Sequence, residues 1–419
     1  MVTTQSANTI YEILTAHRLE HVRYAIRDVA AVAERLAREG KRVIALNVGD
    51  PLAFDFRTPP HLIEAASKAM RDGKNGYAPS PGVADAIEAI RADAERRGIH
   101  NVREVLVTSG VSEAIDFCLT AMADSGDNVL VPCPDYPMYS TILAKLAAKA
   151  NYYRLDEARG WEPDLDDLAA KINSSTRAII LVNPNNPTGA VYPRKTLEEI
   201  AEIARRRRLP VISDEIYDKL ILDDRPTYSF AALAPDVPTV TFNGLSKAYL
   251  VPGWRVGWIV LSGPAETTNG LYESLVKLAR ARLSANHPFQ HAVRPALEGS
   301  QEHLVEVIQK LRARRDLTAR WCQQTPGVSC VPPRGAFYAF PRFEIPGSDE
   351  EFARQLILGK QVSIVHGSGF GADARAPHFR LVFLPDEATL SDAYRRIGSF
   401  LADSRQAPSK AQAHPGPLQ

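Results

Sequence analysis

The sequence predicts an α/β protein: a mostly parallel sheet with helices on both faces, joined to a smaller α+β part. Three observations carry that reading. Short apolar or β-branched runs alternate with helix-length stretches through the middle of the chain. A long basic-amphipathic segment then leads into a second β-rich region and a last helix. The 419 residues also exceed one small unit, at roughly 100–200 residues per domain.

In chain order, Glu20 to Glu39 reads as an amphipathic helix, and Arg42 to Leu46 as a short strand running into Gly49-Asp50-Pro51. Sheet strands are expected at Val105 to Val107, Asn128 to Val131, Ala178 to Val182, Pro210 to Ile212, Thr239 to Phe242 and Gly257 to Leu261. Between them lie helical stretches such as Ser112 to Ala123 and Leu197 to Arg207. Parallel neighbours need a crossover rather than a hairpin, and segments of this length supply it. The second part is expected from the amphipathic Gln301 to Arg320, the run Gly335-Ala336-Phe337-Tyr338-Ala339-Phe340, and a helix from Leu390 to Leu401. Ser404 to Gln419 is without periodicity and is expected to be a disordered tail.

Composition narrows the function classes. Hydrophobic residues make up 45% and charged ones 24%, as in ordinary globular proteins. Fifty Lys and Arg against 49 Asp and Glu leave a formal charge of +1, so no positive field gathers nucleic acid or anionic membrane. The start of the chain lacks a basic, then apolar, leader pattern, and no apolar run approaches about 18 residues, so a cytoplasmic protein is expected. Cys118, Cys133, Cys322 and Cys330 have neither C-x-x-C spacing nor a histidine cluster nearby. They read as ordinary thiols, with no metal site.

The chemistry gathers around Lys247. It lies in Gly244-Leu245-Ser246-Lys247-Ala248-Tyr249, just past a strand, where open α/β sheets place their ligands. Asp214 follows the preceding strand, and Asn186 lies in Asn183-Pro184-Asn185-Asn186-Pro187-Thr188-Gly189 after the one before it. Arg255 follows a few positions on. Three consecutive strands thus deliver polar groups to one edge. Thr108-Ser109-Gly110-Val111-Ser112-Glu113 joins a strand to a helix, an arrangement that turns backbone N–H groups and the positive helix end toward an anion.

With NPNNPTG, SDEIYD, NGLSKAY and GWRVGW in this order, the chain resembles the fold-type-I, pyridoxal-phosphate-dependent aminotransferases of class I from about Tyr24 to Leu401. YAIRD, LNVGDP, PDYP, RGAFY, HGSGF and HFRLVFLP are most similar to the alanine (glutamate-pyruvate) branch. The resemblance implies a seven-stranded sheet and a large cofactor domain over 58–298. It implies a small domain from 23–57 and 299–403, an N-terminal arm over 1–22 and a tail over 404–419.

It also implies roles. Lys247 resembles the Schiff-base lysine that carries pyridoxal 5'-phosphate and then, as a free amine, moves the substrate's proton. Asp214 matches the carboxylate that keeps the ring nitrogen protonated, without which the Cα–H is too weak an acid. Tyr217 and Asn186 match donors to the ring's 3-oxygen, and Tyr136 the aromatic that stacks on the ring. Gly110, Val111, Ser112, Ser246 and Arg255 would hold the phosphate, with Tyr77 reaching it from the partner subunit of a homodimer. Arg380 matches the fork for the α-carboxylate, with Gly49 adding a backbone contact. Arg27 is the candidate for a distal carboxylate, Arg282 from a partner a remoter one, and Tyr24 a candidate contact.

The expected reaction is ping-pong transamination, alanine and 2-oxoglutarate giving pyruvate and glutamate. Two other readings compete. The same motifs would suit another aminotransferase specificity, or a lyase, deaminase or oxidase of specialised metabolism, the last three differing by releasing ammonia or another fragment. A regulator carrying this fold on a DNA-binding module needs a further domain and a basic footprint, and about twenty residues before Tyr24 supply neither.

Overall fold

The computed structural model describes residues 13–21, 25–224, 226–345, 347–373 and 375–406. Eight strands form the main sheet: β1 (Val102–Thr108), β2 (Asn128–Cys133), β3 (Lys149–Asp156), β4 (Glu162–Pro163), β5 (Thr176–Val182), β6 (Val211–Asp214), β7 (Thr239–Gly244) and β8 (Gly257–Ser262). Their order is β1-β8-β7-β6-β5-β2-β3-β4. Neighbours from β7 through β3 run parallel, whereas β8 is antiparallel to both β7 and β1, and β4 to β3. The resemblance implied seven strands and the sheet has eight; of the six located in the sequence none is β3 or β4, and β4 is only two residues long.

Burial explains which strands the sequence announced. β5, β6 and β7 are covered on both faces, so nearly every residue is buried and the sequence reads as an apolar run. Ile179, Ile180, Leu181 and Ile212 are wholly enclosed, each side chain contributing on the order of 2–3 kcal/mol. β3, next to the edge, is half exposed, and its Lys149-Ala150-Asn151-Tyr152-Tyr153-Arg154 carries no such run. Its strand was not expected for that reason.

The registers place the carboxyl ends together. Val182 pairs with Asp214, and Asp214 with Phe242. Gly244 and Thr108 both stand opposite Gly257 on β8. The loops leaving β1, β5, β6 and β7 therefore leave from one edge.

A second body of short strands packs against that edge. Ile44–Ala45 pairs in parallel with Val362–Ser363, and Phe379–Val382 lies between Tyr338–Ala339 and Val365–His366. Its core joins Leu46, Phe337, Phe379 and Leu390 to Ile216, Tyr217 and Leu250 from the sheet's loops. Helices Glu302–Gln324, Asp349–Lys360 and Glu387–Gln406 cover it.

Two sequence expectations are corrected. The first helix is not continuous from Glu20: a 3-10 turn occupies His17–His21 and the α-helix spans Ala25–Arg38. The last helix runs to Gln406, so Ser404 continues it instead of opening the tail, and 407–419 lie outside the described residues.

Candidate active site

Between the sheet edge and the second body lies a cavity of about 790 Å³. Gly49, Val111, Ser112, Tyr136, Asn186, Asp214, Tyr217, Ser246, Lys247, Arg255 and Arg380 line it. The loops set this arrangement. Lys247 comes three residues past β7, and Asp214 ends β6.

Asp214 is 2% exposed. Its Oδ2 accepts from Tyr139 Oη at 3.0 Å and its Oδ1 from Ile216 N–H at 3.2 Å. Burial, only partly offset by these bonds, pushes its carboxyl up to about 6. A cation set before it would restore the carboxylate. Lys247 Nζ donates to Gly49 O at 2.9 Å and lies 5.8 Å from the Tyr217 ring centroid and 5.4 Å from that of Phe337. Although part of the side chain faces the open cleft, removal of its amine from bulk water dominates. Burial, with the charges of Arg380 and Arg255, pushes the amine down to about 8 against the opposing pull of Asp50 and Asp214. A usable fraction of free amine near neutral pH follows.

At the other end, the helix Val111–Met122 starts from Gly110 with no side-chain cap. Gly110 has φ +80, and a Cβ there would lie 2.4 Å from Arg255 Nη2, so glycine satisfies both the backbone and the space. Arg255 Nη2 donates to Ser109 O at 3.2 Å, and Glu113 accepts from Ser109 N–H at 2.7 Å. A guanidinium, a helix start and the buried Ser246 hydroxyl form a seat for a phosphate.

On the opposite wall Arg380 is 2% exposed, far from the surface arginine its residue type alone would suggest. Its Nη2 donates to Asn47 O at 2.5 Å and its Nη1 to Asn186 Oδ1 at 3.3 Å, while Nε has no protein partner. Its Cζ stands 4.8 Å from the Tyr338 centroid and 5.0 Å from that of Phe370. A buried, incompletely paired guanidinium facing a cavity calls for an anion.

Not every expected residue is in the cleft. Tyr77 is 81% exposed and outside this chain's own cavity. Arg282 is engaged away from it, donating to Val107 O at 3.2 Å and Ser80 O at 3.4 Å, with Glu113 3.6 Å away. Tyr24 and the Arg27 side chain lie outside the described residues, though Ile26 lines the cavity. Two site residues were missed. Tyr139 lies in the first turn of the helix Met138–Lys145, and its ring stands edge-on to that of Tyr136 with centroids 6.4 Å apart. Tyr338, in the quoted RGAFY, lines the cavity beside Tyr217, their hydroxyls 2.8 Å apart.

The fold and cleft define a large α/β protein whose sheet edge offers an amine, an acid and a phosphate seat together. The residues fit pyridoxal 5'-phosphate: Asp214 wants a cationic partner, the Gly110 turn an anion, and Lys247 is a nucleophilic amine. The sequence matches the family described as aminotransferase class I and II over residues 41–397. The glutamate-pyruvate aminotransferase of Haemophilus influenzae is 41% identical over 93% of this chain and 98% of its own length. An alanine aminotransferase of Mycobacterium bovis is 40% identical over 93% and 92%. The solved alanine aminotransferase of Pyrococcus furiosus superposes with a TM-score of 0.89 at 41% identity, covering 93% of this chain and all of that one. This chain belongs to the class I and II aminotransferases and is a pyridoxal-phosphate-dependent enzyme.

Proposed function

We propose that this enzyme transfers the amino group of alanine to 2-oxoglutarate, giving pyruvate and glutamate, by a reversible ping-pong mechanism. The names of its relatives support the substrate pair. The observation that carries the site assignment is the cavity holding Lys247, Asp214 and the buried Arg380 on facing walls.

Bound pyridoxal phosphate supplies an electron sink for the charge left when Cα–H ionises. The protein's own residues do the rest. Arg380 takes the substrate α-carboxylate, with Asn186 fixing one edge of its fork. Gly49 offers backbone beside it. Lys247 binds the cofactor and, once displaced, moves the proton as a free amine, which its lowered pKa favours. Asp214, oriented by Tyr139 and Ile216 N–H, holds the proton on the ring nitrogen. Tyr217 and Asn186 would donate to the ring's 3-oxygen, and Tyr136 would supply an aromatic face for the ring. Gly110, Val111, Ser112, Ser246 and Arg255 hold the phosphate.

A homodimer completes this reading, with Tyr77 reaching the partner's phosphate. Its support is a set of exposed apolar side chains: Tyr77 itself, Ile63 and Met70 on the helix Pro60–Arg71, and Leu283. Arg27 is assigned the distal carboxylate of glutamate, with Tyr24 near it. The lobes are read as 58–298 against 23–57 plus 299–403, supported by a shared core that draws on both ends of the chain. We assign the enzyme to the cytoplasm; among the described residues no helix is long and apolar enough to cross a membrane.

A panel of amino acids against several 2-oxo acids tests the substrate reading. Alanine with 2-oxoglutarate should give the highest kcat/KM, one glutamate forming per alanine consumed. Faster turnover with another pair overturns it, and ammonia release without a new amino acid overturns transamination.

A further inference from the structure

We propose that Tyr338 is a positioning residue joining the two walls of the active site: its hydroxyl turns the Tyr217 proton toward the cofactor's 3-oxygen, and its ring seats the Arg380 guanidinium. The proposal rests on the roles assigned above to Tyr217 and Arg380.

Start with the two phenols. Tyr217 and Tyr338 are 4% and 2% exposed, and their hydroxyl oxygens are 2.8 Å apart. Each hydroxyl has a single proton, so one oxygen donates and the other accepts. An anionic oxygen in the cleft claims the Tyr217 proton, because a charge-assisted bond is the stronger one. Tyr338 must then be the donor of the pair. A chain from Tyr338 to Tyr217 to the 3-oxygen polarises in one direction, and burial strengthens it.

The ring does the second task. Tyr338 pairs with Val382 across the short antiparallel ladder, two residues from Arg380 on the same strand. That register lays the Arg380 Cζ 4.8 Å from the Tyr338 centroid. The hydroxyl also marks where the segment before Asp50 can pass. A Cβ on Gly49 would lie 2.5 Å from Tyr338 Oη, so a glycine there allows the approach, and Gly49 O accepts from Lys247 Nζ. Phe337, its neighbour in sequence, has no hydroxyl to donate, and its ring stands near Lys247 and not under Arg380. Asp50, Asp214, Lys247, Arg255, Arg380 and Tyr136 are the titratable and charged groups lining the cavity around the pair, and all remain when Tyr338 is changed.

The experiment titrates the absorbance of bound cofactor with pH in holoenzyme carrying Y338F, Y338L or Y217F, and measures KM for alanine and 2-oxoglutarate. Without the Tyr338 donor, Tyr217 donates less strongly and the 3-oxygen becomes more basic. The midpoint in Y338F should therefore move up by about half to one pH unit, in the direction of Y217F and by less. Y338L should show the same shift and, in addition, raise KM for both substrates roughly three- to tenfold above Y338F, as Arg380 loses its ring. If Y217F moves the midpoint and Y338F leaves it in place, the hydroxyl's role is overturned. If KM in Y338L is no higher than in Y338F, the ring's role is overturned. A Y217F midpoint equal to wild type removes the Tyr217 assignment itself, and the proposal with it.

Discussion

The two walls of the cleft are built on different principles. The wall we assign to the cofactor hangs from four loops at one edge of one sheet, leaving β1, β5, β6 and β7, and its groups closely follow strands of four to seven residues. The substrate wall takes Gly49, Tyr338 and Arg380 from three distant segments. There the strands Ile44–Ala45 and Tyr338–Ala339 are only two residues long. On the first wall geometry comes from a rigid scaffold; on the second it comes from side chains holding one another. Loss of a cofactor-wall group should therefore stop the chemistry, whereas loss on the substrate wall should weaken binding.

Lys247→Ala is the most severe way to probe that contrast. Removing both the cofactor's attachment and the proton carrier should cost roughly four orders of magnitude or more in turnover, with the fold intact by circular dichroism. Asp214→Asn comes next. The amide keeps the shape but not the charge, and its single acceptor oxygen can keep only one of the bonds from Tyr139 Oη and Ile216 N–H, so kcat should fall about 10²–10³-fold with cofactor still bound, as absorbance after dialysis will report. An unchanged rate would assign the ring proton to another group.

For Arg380→Leu the loss should fall mainly on KM. A reduction in kcat/KM of about 10²-fold for alanine and for 2-oxoglutarate alike is expected, and the cofactor should be retained. An equal loss of cofactor would erase the distinction between the walls. The mildest test is pH. Because the Lys247 amine is pushed down to about 8, the free base gains about tenfold per pH unit below that value and levels off above it. The rate at which apoenzyme takes up pyridoxal phosphate should follow that curve, and a midpoint near the ordinary lysine value of about 10.4 would contradict it.

The same contrast decided what the sequence disclosed. Lys247, Asp214 and Asn186 sit next to strands buried on both faces, and the Gly110 turn follows the buried half of β1, so apolar runs in the sequence point to all four. Arg380 was found through the wording around it, since nothing in periodicity makes a lone arginine buried. Tyr338 was passed over because its partners, Tyr217 and Arg380, are remote in sequence and nothing local distinguishes it from a core tyrosine. β3 escaped notice through its half-exposed face, and the helix drawn from Glu20 ignored the 3-10 turn that precedes Ala25. Arg282 is a candidate that reaches only a partner's site; within its own chain Nη2 donates to Val107 O and Ser80 O and Glu113 stands 3.6 Å away, while Nε and Nη1 have no hydrogen-bond partner among the described residues.

The two-residue strands of the substrate wall also bear on how such enzymes diverge. A replacement at Tyr338 or around Gly49 disturbs one or two ladder bonds and a few side chains, while the sheet that carries Lys247 and Asp214 is untouched. A lineage can therefore re-tailor which amino acid it accepts by drifting through a handful of positions, and inherit the sheet that holds Lys247 and Asp214 intact.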